Sequence, residues 1–251
     1  MASLCRALPA SDVHPGVRAG AGSERKAAHV LDVSNWSIPR AQWAEMEKAN
    51  AADQKILDKA MSDGAILAYG DDVTLVHQPD GMTHDDWWSS MSMAGLLKVL
   101  EEFYKSGNSV TPALLSATKH SDNIFVTRFY NWHSGSWKGV YSHGASYKLK
   151  PDAPHDAVEM LSKSLVVPLM EKLLAEGAIH EYEIDTEAIH TEAPSTFWIF
   201  YIAANAEGLE KVNASLSATL KANPLSGPAF ASMVESSAHR DYLLRTNATY
   251  K

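Results

Sequence analysis

The sequence contains one cysteine, Cys5, in 251 residues. That excludes an intramolecular disulfide and any metal site built from several thiolates, so packing has to hold the fold together. Positive charge is also short: 22 Lys and Arg against 30 Asp and Glu leave a net charge of -8 and an isoelectric point near 5.7. A phosphate backbone would meet a repelling field, which argues against nucleic acid and anionic membrane surfaces as partners. Long apolar runs are missing; FWIFYIAA at 197–204 is strand-sized, well below the roughly 20 residues that span a bilayer. Glycine-rich phosphate loops, H-E-x-x-H, an EF-hand loop and a G-x-S-x-G elbow are absent too. No motif therefore names a catalytic residue, a metal site or a cofactor, and the sequence leaves open whether the chain is an enzyme.

What is present suffices for a globular core, with 45% of residues hydrophobic. Residues 1–27 are small, polar and punctuated by Gly and Pro, without the apolar stretch of a secretory signal. They read as a disordered tail. As written the chain is expected in the cytoplasm, and it would be exported if the true start carries a leader.

The dominant signal is internal. At an offset of 113 residues Lys59 falls on Lys172, Gly64 on Gly177, Ala65 on Ala178, Ile66 on Ile179 and Tyr69 on Tyr182. Asp72 with Asp185, His77 with His190, Gly95 with Gly208 and Lys98 with Lys211 extend the match. The period exceeds that of a solenoid and suits a small domain. Two copies are expected, at 28–134 and 135–251.

Each copy checks the other. Apolar residues at helical spacing precede Gly64 and Gly177, with Ser37 and Asp152 as expected N-caps and Pro168 as an expected kink. The two glycines stand where a left-handed C′ residue is wanted. A β-rich run, a turn, a second apolar run, another helix and a final strand follow, and one strand precedes the whole. The order βαββαβ is that of the α+β ferredoxin-like unit, whose antiparallel sheet carries helices on one face only. In element order and duplication, over roughly residues 28–250, the chain resembles the dimeric α+β barrel superfamily, which includes antibiotic-biosynthesis monooxygenase-like and NIPSNAP-like proteins. The resemblance implies two antiparallel sheets facing each other as a pseudo-symmetric barrel, order 4-1-3-2 in each half, with a small molecule held between them.

Three clusters bear on chemistry. His77 and His190, with Tyr69, Tyr182 and His180, are placed on one strand face by period-2 alternation, and could serve as acid, base or simply helix–sheet packing. Glu181, Glu183, Asp185 and Glu187 alternate on the opposite face. That face is expected to be solvated, because burying four unpaired carboxylates costs several kcal/mol each. The segment from Thr127 to Tyr147 gathers Arg128, Tyr130 and Trp132 on one face, with His143 on the next strand. It reads either as a ligand-contacting lining or as ordinary strand packing around a Gly-rich crossover. HDDWW at 84–88 reads as a solvated turn rather than a metal pair.

The expected function is the binding of a small apolar or aromatic molecule between the two sheets, with cofactor-independent oxidation or isomerisation as the chemistry the resemblance implies. A non-catalytic interaction module with a packed barrel is one alternative. Haem binding through one of His77, His133, His143, His180 or His190 is another. A monomer or homodimer is expected.

Overall fold

The computed structural model describes residues 26–79, 81–189 and 194–251. The expectation of a disordered tail falls almost wholly on residues 1–25, outside the described residues, as does His190. In chain order the first half runs β1 (His29–Ser37), α1 (Trp43–Ser62), β2 (Ala68–Thr74), β3 (His84–Ser90), α2 (Met93–Ser106), the short α3 (Pro112–Leu115) and β4 (Lys119–Trp132). After the two-residue β5 (Ser136–Trp137), the second half runs β6 (Tyr141–Lys148), α4 (Ala157–Leu161), α5 (Val167–Ala175), β7 (Ile179–Glu187), β8 (Thr196–Ala203), α6 (Ala206–Ala222), α7 (Ser226–Met233) and β9 (Arg240–Tyr250).

The strands lie in the order β2-β3-β1-β4-β7-β8-β6-β9, and β9 pairs back onto β2. Each half is thus a ferredoxin-like unit with the expected order, and the two half-sheets are hydrogen-bonded into one closed eight-stranded antiparallel barrel. Closure through β4–β7 and β9–β2 leaves neither unit an open edge. The helices cover the outside.

Local chemistry explains most boundaries. Gly64 and Gly177 adopt φ of +71° and +68°, the left-handed turn that ends each first helix before its strand. Ser92 and Asn205 cap α2 and α6 by accepting from the amides of Gly95 and Gly208. The expected caps at Ser37 and Asp152 are not used: Ser37 belongs to β1, and α1 begins six residues later behind a 3-10 turn. A π-helical stretch, Ser162–Val166, separates α4 from α5 just before Pro168, whose missing N–H interrupts the regular ladder there.

The two halves are packed differently. Sixteen buried residues, among them Leu165's neighbours Leu161 and Val166, then Leu169, Met170 and Leu173, fill the layer between the second half's helices and its half-sheet. In the first half the corresponding cluster has six. That difference locates the cavity described below.

Candidate functional site

Inside the barrel, the face expected to be solvated is buried. Glu181, Glu183, Asp185 and Glu187 all point inward, each less than a tenth exposed, because closure turns the inner face of β7 away from water. Their cost is reduced by a cation and by protonation. The Lys251 side chain is fully buried, ion-paired to Glu181, 3.8 Å from Glu183, and lies 4.7 and 4.6 Å from the Trp87 and Trp132 ring centroids. Burial pushes Asp185 up to about 7 and Glu183 well above the usual carboxylate range, while it pushes His29, helped by Lys251, down to about 4. Leu31, Phe125 and Trp198 plug the middle. The space left there is about 70 Å³. A wider hollow of about 330 Å³ opens at the barrel mouth between Asn35, Asn123, Lys148 and Arg240.

A second cavity, of about 320 Å³, lies outside the barrel wall, between α1, α2 and the first half-sheet. Its walls are apolar and aromatic: Leu57, Trp88, Leu100, Phe103 and Tyr250. Across its floor runs one row of cross-strand neighbours, Asp71 on β2, Asp86 on β3, Ser34 on β1 and Asp122 on β4. HDDWW is therefore strand, not turn: Asp86 faces this cavity, whereas Asp85 faces the barrel interior beside Asp72.

Each carboxyl has its own surroundings. Asp71 Oδ2 accepts from Asn50 Nδ2 (3.1 Å) and Asn247 Nδ2 (2.9 Å), yet burial still raises its pKa. Asp86 accepts no hydrogen bond from any described residue; burial first, then Asp71 and Asp53, push it well above the usual range. Asp53 on α1 accepts from Asn108 Nδ2 (2.8 Å) and is raised by burial to about 6. At Asp122 burial is outweighed by His120 at 3.0 Å and by the Ser34 hydroxyl at 2.7 Å, and its pKa is lowered. The row can hold, accept or donate a proton at a bound molecule.

The second half shows what this layer looks like without a cavity. In the same register Asp71 and Asp86 become the cross-strand pair Ile184 and Ile199, and Ser34 becomes Ala145. The alignment is fixed by the buried tyrosines: Tyr69 donates to Asp58 (2.5 Å) as Tyr182 donates to Glu171 (2.6 Å). At that offset Asp53, Gln54 and Leu57 correspond to Val166, Val167 and Met170, which pack into the second core.

The residues singled out from the sequence are dispersed. A β-bulge at Arg128 breaks the alternation of β4, turning Arg128 out to donate to Thr186 Oγ1 (3.0 Å) while Tyr130 and Trp132 turn in beside His29. His143 stacks on Tyr201 and lies 3.5 Å from Asp241 on the helix side of β6. His180 stacks on Trp137, and His77, beyond the end of β2, stacks on Trp43. Alternation could not carry from Tyr69 to His77, because the strand stops at Thr74. Tyr182 is committed to Glu171, and Tyr69 reaches the wall of the 320 Å³ cavity. The row Asp71, Asp86 and Asp122 was not singled out. For Asp71 and Asp86 the signal lay in a difference between the copies at offset 113, where both fall on isoleucine.

Among the described residues, the histidines expected to hold haem are not placed to do so; the fifth, His190, lies outside them. The helix–sheet layer beside His143 is solid, and none of His77, His133, His143 and His180 lines the 320 Å³ cavity. The histidine that does, His120, is engaged by Asp122 and stacked 3.6 Å from Trp36.

No known family matches the sequence, and no curated protein does. Solved structures do match. A candidate monooxygenase from Lactobacillus acidophilus is 11% identical with a TM-score of 0.66, over 90% of this chain and 97% of that one. A candidate monooxygenase from Fusobacterium nucleatum is 7% identical with a TM-score of 0.65, over 90% and 95%. An anthrone oxidase-like protein is 8% identical with a TM-score of 0.52, over 89% and 93%. At these identities the likeness is one of fold.

Proposed function

We propose that the chain, as two repeats spanning 28–134 and 135–251, binds a small aromatic molecule in the cavity between α1, α2 and the first half-sheet. The single observation behind this reading is the asymmetry of the halves: one helix–sheet layer is filled by a large buried core, the other leaves a partly open cavity of about 320 Å³ over a row of carboxyls. A layer kept hollow forgoes packing energy, and carboxyls drawn partly out of water in it add a further cost, so stability alone does not explain it. Between the sheets, where the resemblance places the molecule, the centre is filled by Leu31, Phe125 and Trp198, and the hollow of about 330 Å³ lies toward the barrel mouth. Its chemistry is proton transfer by Asp71 or Asp86, the opening step of a cofactor-independent isomerisation of an aromatic substrate, or of its oxidation with dioxygen as the electron acceptor.

The filled barrel centre favours the alternative of a non-catalytic module. That alternative leaves the hollow first layer without a cause. Thermal-shift screening of planar aromatic compounds against the wild type and Ala51→Phe, which projects a ring into the cavity, separates the two. Stabilisation of the wild type that the variant loses supports the reading; no response in either protein rejects it.

A further inference from the structure

The cavity has a surplus of acceptors and no cation to meet them. Glu47, Asp53, Asp71, Asp86 and Asp122 line it, and the lining has no Lys or Arg. Its one basic group, His120, is already held by Asp122. The amide donors are spent too: Asn50 and Asn247 on Asp71, Asn108 on Asp53, Gln54 on the Tyr250 hydroxyl. Apart from the Trp36 indole N–H, which is buried at the lining without a partner, what remains is mainly acceptors. Asp86, half-buried, accepts no hydrogen bond from any described residue, and the carbonyl oxygen of Asn50, buried in the roof above Asp71, receives none either.

A metal ion is a poor match, since no three carboxylate or histidine side chains among the described residues converge as ligands. Asp71 and Asp86 are direct cross-strand partners, which places their Cβ atoms about 4.5–5.5 Å apart. One ammonium can donate to both and to Asn50 as well, using its three N–H groups. Around that point the walls are Trp88, Phe103 and Tyr250, faces that attract a cation and accommodate a ring.

We propose that the ligand is a cationic aromatic amine, its ring against Trp88, Phe103 and Tyr250 and its ammonium shared by Asp71 and Asp86. The inference rests on the cavity reading above and narrows it to one chemical class. Lys138, whose charge reaches Asp71, opposes the amine, while Glu47 favours it.

Titration calorimetry with three indoles of one shape tests it: tryptamine, the neutral alcohol tryptophol, and indole-3-acetate. Tryptamine should bind about tenfold or more tighter than tryptophol, with the acetate weakest, as expected for a charge-assisted hydrogen bond. Asp86→Asn should remove that preference. Tryptophol binding as tightly as tryptamine to the wild type overturns the amine but keeps the cavity. Binding of none of the three removes both. The wild-type comparison decides even if the variant does not fold.

Discussion

Asp86 and Ile199 occupy the same place in the two half-sheets, each paired across its hairpin, one with Asp71 and the other with Ile184. One sheet position thus carries two opposite solutions, a carboxyl beside a cavity and an aliphatic side chain inside a core. Four predictions follow from how the chain distributes such groups.

Replacing the floor by its counterpart should close the site. Asp71→Ile with Asp86→Ile is expected to raise Tm by a few degrees, because exchanging buried charge for apolar volume is often stabilising by about 1–4 kcal/mol, and each kcal/mol is worth about 2–4 °C at this size. Binding of aromatic ligands should vanish. A lower Tm would mean that the carboxyls serve the fold.

Stability should fall as pH rises from 4 to 7. Burial raises Asp53 and Asp72 to about 6 and Asp32 and Asp185 to about 7, so between pH 4 and 7 the native state keeps protons that the unfolded chain has released. Stability from these groups is lost with rising pH across that window. His29 and His84, lowered by burial to about 4, act oppositely between 4 and 6.5, but they are fewer. Thermal melts across this range check the sign, and Asp185→Asn should flatten the slope.

Lys251→Met should lower Tm by roughly 6–12 °C. It removes the cation between Glu181, Glu183 and two tryptophans, and breaking a buried pair costs about 3 kcal/mol or more. Adding Glu181→Gln should recover part of the loss, since the orphaned carboxylate goes with it. An unchanged melt for Lys251→Met would place the lysine outside the barrel.

Gly95→Ala and Gly208→Ala should destabilise even though alanine is the better helix former. A Cβ at Gly95 would stand 2.6 Å from the Ala65 carbonyl, and one at Gly208 would collide with the Ala178 carbonyl. Each helix crosses its neighbouring chain at that point in both halves. Calorimetric melts showing a gain for either variant would refute the close approach.

Local rules made much of the fold legible. Gly64 and Gly177 announced their left-handed turns, and the match at offset 113 paired β2 with β7 and α1 with the α4–α5 region before any coordinates. Where alternation was pushed past a strand end, at His77, or through a bulge, at Arg128, it misplaced side chains.

Periodicity by itself determined the βαββαβ order, because side-chain alternation and helix caps depend on residues close in the chain. It could not say which face of β7 meets water. The alternation Glu181, Glu183, Asp185, Glu187 is written identically for an outer surface and a barrel lining; only closure through β4 and β9, which brings Lys251 in from 64 residues beyond Glu187, decided that it lies inside. The cavity over Asp71 and Asp86 was settled the same way, since a hollow exists only where side chains from separate helices and strands fail to meet.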